Sequence, residues 1–180
     1  MQNSLKQAIG VAQKLQAKKL RVVFAESCTS GRLASTLGQI PGISSSLCGS
    51  FVIYRNASKS NWLGIDESIL DDPNVGPVSA EVTRQLAVAA LAKTPEAQIA
   101  LAITGEIGPC EKIEKDGCVF CCIAKRGETP MEHATRLSAP PPKGQDDYAG
   151  RLTRLEEASC WAFERLYGCL KLAQSSAQSS

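Results

Sequence analysis

Apolar residues at Leu5, Ala8, Ile9, Ala12 and Leu15 recur in steps of three and four, so residues 2–18 are expected to form an amphipathic helix with these side chains inward. RVVFA, residues 21–25, is a continuous apolar run rich in β-branched residues, which suits a strand buried on both faces. Helical spacing returns from Thr29 to Ile40 through Leu33 and Leu37, and Pro41 with Gly42 ends it. GSFVIY, residues 49–54, reads as a second strand, followed by short helical pieces at Ser58 to Leu63 and Glu67 to Leu70. After a loop rich in Asp, Pro, Asn and Gly, Ser79 is placed to cap a helix that carries Val82, Leu86, Val88, Ala89 and Leu91 to about Lys93. QIALAI, residues 98–103, is a third strand that enters the loop TGEIGPCEKIEKDG. Two further strands, Cys118 to Lys125 and Glu132 to Ser138, are joined by the turn KRGETP and form a hairpin. A long helix from Asp147 to about Leu172 follows, with Leu152, Leu155, Ala158, Trp161, Ala162 and Leu166 along one face.

Helices alternating with strands, then a late hairpin, predict an α/β fold: a three-layer α/β/α sandwich on a mixed, mostly parallel sheet of about five strands. A chain of 180 residues suits one domain, here residues 1–172, and the polar tail at 173–180 is expected to be disordered. The net charge of +2 and the absence of a dense basic run argue against nucleic acid as a partner. The first residues lack the apolar core of a signal peptide, and no stretch approaches the length that spans a bilayer, so no membrane association and a cytoplasmic location are expected. Eight cysteines in such a chain are expected to stay reduced. In GCVFCCIAK the strand alternation sends Cys118 and Cys121 to opposite faces, and the single histidine, His133, stands apart, so no metal site is expected.

In an open α/β sheet, ligands gather at the carboxyl ends of parallel strands. The first strand runs into Glu26, Ser27, Cys28 and Thr29. Ser27 at that turn is open to two readings, a nucleophile with turn amides beside it or, like Thr29, a helix cap; from composition the cap is favoured. Tyr54 and Lys59, five residues apart, reach one pocket if the chain turns at Asn56 and Ala57, and otherwise form a strand-end tyrosine and a surface lysine.

Four segments in order, AESCTSG, YRNASK, VSAEV and ITGEIGP, resemble AESCTGG, YSNEAK, VSxxV and ITGIAGP of the CinA C-terminal domain family. The enzymatic members of that family are PncC-type nicotinamide mononucleotide deamidases. The resemblance spans about residues 5–170. It implies a three-layer α/β/α domain standing alone and a small-molecule nucleotide substrate. Ser27, Tyr54 and Lys59 would form the catalytic group, with no cofactor and no metal. It also implies that Cys28, Thr29, Ser30 and Gly31 face the substrate at the turn. Turn amides would hold the oxyanion, while Thr104, Gly105 and Gly108, with Thr29, Arg151 or Arg154, would meet the phosphate. Members are often oligomeric, which makes a homodimer a candidate assembly. The alternatives are a non-catalytic nucleotide-binding or interaction module, and a hydrolase of another amide. Three departures bear on substrate choice: Ser30 replaces a glycine, Glu106 brings a charge into the ITGIAGP loop, and CEKIEKDG replaces a glycine-rich stretch.

Overall fold

The computed structural model describes residues 3–110 and 113–172. The tail at 173–180 lies outside them. Helix α1 is Asn3–Lys18 and strand β1 is Val22–Glu26. Helix α2, Arg32–Gly38, precedes strand β2, Leu47–Val52. Helices α3 (Asn56–Leu63), α4 (Glu67–Leu70) and α5 (Ala80–Lys93) lead to strand β3, Ile99–Gly105. Strands β4 (Cys118–Lys125) and β5 (Met131–Arg136) form the expected hairpin, and α6 is Tyr148–Leu172.

The sheet order is β2-β1-β3-β4-β5. β1 pairs in parallel with both β2 and β3, while β3–β4 and β4–β5 are antiparallel. β4 is therefore the one strand running against the rest of this sheet. Glu26 is level with Val52 on one side and Ile103 on the other, so three strand ends open at the same height.

Alternation along β3 separates two cores. Ile99, Leu101 and Ile103 point to one face, where they meet Ala8, Leu15, Ala158 and Phe163. Ala100 and Ala102 point to the other, against Val82, Leu86, Ala87 and Ala90 of α5. With alanine on both surfaces, α5 can lie close to the sheet. Cys121 and Cys122 alternate in the same way, one in each core, and all eight thiols are free. The rings of Phe24 and Phe163 meet edge to face, with centroids 6.3 Å apart.

The helix faces differ in detail from the expectation. On α1, Val11 and Ser4 are buried while Leu5 and Ile9 are half-buried. Ser4 tolerates burial because its amide and hydroxyl both donate to Glu156, each at 2.8 Å. On α5, Ala87 and Ala90 face inward, and Val88 is exposed. On α6, Leu152 is exposed, whereas Arg154 is buried. Arg154 Nη1 and Nη2 donate to the two oxygens of Asp116 at 2.8 and 2.6 Å, and Nε donates to the Ala139 carbonyl at 3.2 Å. A paired guanidinium fills a position that periodicity assigns to an apolar side chain. No helix of the described residues is long and apolar enough to cross a membrane.

Candidate active site

The turn after β1 is built around Glu26, a fully buried carboxylate that the sequence reading passed over. Its oxygens accept from Thr29 Oγ1 at 2.8 Å, Leu33 N at 2.9 Å, Ala34 N at 3.0 Å and Ser50 Oγ at 3.0 Å. Four donors satisfy the charge and replace the water it has lost. The same bonds cap α2, whose flanking residue Gly31 has φ +90° and offers no side-chain cap. Neither Ser27 nor Thr29 caps this helix, contrary to the composition-based reading. Its visible signal was a charged residue directly closing an apolar strand.

Capping by Glu26 leaves Ser27 free of that task. Its amide donates to the Ile103 carbonyl at 3.1 Å, and its own carbonyl accepts from Ser30 N at 3.2 Å, which closes a tight turn. Ser30 sits at φ +51° and is solvent-exposed. Because Glu26 takes the Leu33 and Ala34 amides, Thr29 O that of Arg32 and Ser27 O that of Ser30, the turn amides outside this network are those of Cys28, Thr29 and Gly31. The expected oxyanion donors thus narrow to the turn itself, one step ahead of the helix.

Ser27, Cys28, Tyr54, Lys59, Gly105 and Gly108 line one cavity of about 260 Å³, together with Asn56, Pro77, Val78, Glu106, Ile107 and Arg151. Lys59 stands in the first turn of α3 and is 2% exposed. Burial pulls its pKa below the ordinary lysine range, only partly countered by the nearby Cys28 sulfur. The Cys28 thiol is pushed up to about 12, mainly by burial and further by Glu26 and Glu106. It stays protonated at neutral pH, so the hydroxyl beside it is the better candidate nucleophile. Tyr54 lies two residues beyond β2, 53% exposed, and its Oη accepts from Arg151 Nη2 at 2.9 Å.

On the opposite wall Gly105 is held to glycine by close packing, whereas a side chain at Gly108 would displace only the tip of Arg151. A Cβ on Gly105 would come within 2.9 Å of Val119 and 3.2 Å of Cys28 Sγ, and one on Gly108 would meet Arg151 Nη1 at 2.9 Å. Four residues expected to face the substrate do not line the cavity. Thr29 donates its proton to Glu26, and Ser30 and Gly31 serve the turn. Thr104 is fully buried and pairs with Thr83 Oγ1 at 2.8 Å; Thr83 gives its own proton to Ser79 O, so Thr104 is the donor. Arg154, bound to Asp116, is likewise no phosphate ligand, which leaves Arg151.

Residues 4–140 match the sequence model of the CinA C-terminal domain. A protein of Clostridium perfringens (strain SM101 / Type A), named as competence-damage inducible, is 41% identical over 124 residues, covering 68% of this chain and 29% of that protein. A CinA-like protein of Pseudothermotoga lettingae is 36% identical over 116 residues, 63% of this chain and 28% of that one. The chain thus spans under a third of the length of these curated relatives. Among solved structures, the competence/damage inducible protein CihA of Agrobacterium tumefaciens superposes with a TM-score of 0.80 at 29% identity, covering 94% of this chain and 96% of that one. A CinA superfamily protein of Klebsiella pneumoniae, at 24% identity and a TM-score of 0.81 over 95% of this chain and 99% of that one, shares the fold.

Proposed function

The chain belongs to the CinA C-terminal domain family, and from that premise we propose that it hydrolyses the carboxamide of nicotinamide mononucleotide, giving nicotinate mononucleotide and ammonia. The observation that carries this reading is a buried lysine of lowered pKa lining the same cavity as a strand-end serine. A neutral amine takes a proton, and a serine hydroxyl needs such a base to attack an amide.

Lys59 Nζ accepts the Ser27 proton as Oγ bonds to the carboxamide carbon. The negative charge that develops on the amide oxygen is met by the Cys28 and Thr29 amides. Lys59 then returns the proton to the departing nitrogen; the C–N bond breaks, ammonia leaves, and an ester on Ser27 remains. Water attacks that ester, giving its proton through Lys59 back to Ser27 Oγ, and the acid is released. Tyr54 accepts from Arg151, which leaves its own hydroxyl proton to orient the serine or the base. Arg151 supplies the cation for the substrate phosphate. Every bond is made and broken by groups of this chain and water.

Incubation of the pure protein with nicotinamide mononucleotide, followed by ammonia assay, tests this. Ser27→Ala is expected to reduce release by at least about a thousandfold. Equal release from both proteins, or none from either, overturns the proposal.

A further inference from the structure

The active-site cavity is lined by two residues of opposite charge, Glu106 and Arg151, and Glu106 also borders a neighbouring cavity lined by Lys115. The ion pairs of the described residues include neither Glu106 nor Arg151. Both residues line the cavity with Ser27 and Lys59, and Pro77, Val78 and Ile107 give it apolar walls that strengthen any charge interaction made inside. Lys59 adds no fixed charge there when it acts as the neutral base.

The two charges sit at different depths. Arg151 hydrogen-bonds the half-exposed Tyr54 hydroxyl at 2.9 Å, which places it at the mouth. Glu106 follows Gly105, whose Cα is so close to Cys28 that an added Cβ would lie 3.2 Å from the sulfur. Cys28 is the neighbour of the nucleophile. Glu106 thus lies near the reacting carbon, and Arg151 lies farther out.

In a ring amide whose nitrogen carries a sugar, the ring nitrogen is cationic and two ring bonds from the carbon bearing the carboxamide. A phosphate on that sugar is much farther away. Seating the amide carbon on Ser27 therefore brings the cationic ring to the depth of Glu106 and leaves the phosphate toward the mouth. We infer that Glu106 is the counter-ion of a cationic N-substituted pyridinium carboxamide, and so selects this charged ring over uncharged amides of the same shape.

This selection rests on the amidohydrolase reading, and it has a second consequence. Deamidation replaces a neutral carboxamide by a carboxylate in the same chamber. The ring keeps its cation, so Glu106 attracts the product's ring while repelling its new carboxylate, and it therefore favours substrate over product.

Calorimetry separates this inference from the catalytic proposal. The probes are nicotinamide mononucleotide, its uncharged dihydropyridine form and nicotinate mononucleotide, each titrated into the Ser27→Ala protein with and without Glu106→Gln. Glu106→Gln should weaken the cationic amide about tenfold, leave the dihydro form within about twofold, and weaken the acid product less than the amide. Glu106→Asp, which keeps the charge, should restore most of the preference and shows that loss in the glutamine variant is not misfolding. Equal binding of charged and uncharged rings, a preference unchanged in Glu106→Gln, or no binding of any probe overturns the inference. A charge preference that vanishes in Glu106→Gln, in a protein that releases no ammonia, would sustain the inference and reject the catalytic proposal.

Discussion

Lys59 is the residue at which burial and chemistry meet. Taking an ammonium from water disfavours its charged form, and here that desolvation lowers the pKa below the ordinary lysine range. Activity should therefore rise with pH through the lowered Lys59 pKa and level off above it, a limb that rate measurements across neutral and alkaline pH will show. Lys59→Arg should be inactive, because a guanidinium does not give up its proton. Stability carries the same sign: between the lowered folded pKa and the ordinary one, the unfolded chain binds the extra proton, so unfolding becomes harder as pH rises. Lys59→Met should abolish activity, remove that slope and leave the neutral-pH melting temperature equal or higher. The resemblance of AESCTSG and YRNASK to the family motifs grouped Ser27, Tyr54 and Lys59, where spacing alone left the grouping open. What spacing hid was Thr29 and Thr104, since a hydroxyl's partner depends on which distant atom lies across from it, and both partners are inside the fold.

At the scale of elements, the turn between β1 and α2 depends on one carboxylate. Glu26 joins β1 to the start of α2 and to Ser50 of β2, fixing the backbone that presents Ser27. A carboxylate accepts all four of its donors, whereas a carboxamide has one acceptor oxygen and turns two donors toward other donors. Glu26→Gln should therefore cost about 3 kcal/mol in denaturant unfolding and lower activity with it. Ser50→Ala, losing one bond, should cost about 1 kcal/mol. Element types and order were legible because the helical periods of α1, α5 and α6 stand between short continuous apolar runs such as VVFA and IALAI. The exact start of α2 was not, because its cap comes from a residue outside the usual window: Glu26 stands six residues before Arg32. The slight rotation of the α1 face, from Leu5 and Ile9 toward Ser4 and Val11, had a similar cause, since Ser4 is buried by hydrogen bonds to Glu156 and not by hydrophobicity.

Across the whole molecule, α6 ties the late segments to the early ones. Arg154 holds Asp116 in the loop before β4 and keeps that carboxyl below the usual range, chiefly through their hydrogen bonds. This contribution is present above the unfolded aspartate pKa and is lost as pH falls through the lowered one. Asp116→Asn should cost about 3 kcal/mol at neutral pH, because Arg154 is left buried and unpaired, and should flatten the acid limb of a stability curve. The sandwich itself was predictable from the order of elements, but a guanidinium in an apolar stripe was not, as its partner lies 38 residues away. The pairing of α1 with α6 also bears on how the protein is made. Ser4 and Lys18 reach Glu156 and Leu170, so the first helix waits through synthesis of nearly all the chain described here before its neighbour exists. Arg151 comes from the same late helix. On a ribosome the sheet is complete before the helix that closes one core and one wall of the cavity emerges, so the nascent chain passes through a stage with an exposed apolar face and an unfinished site.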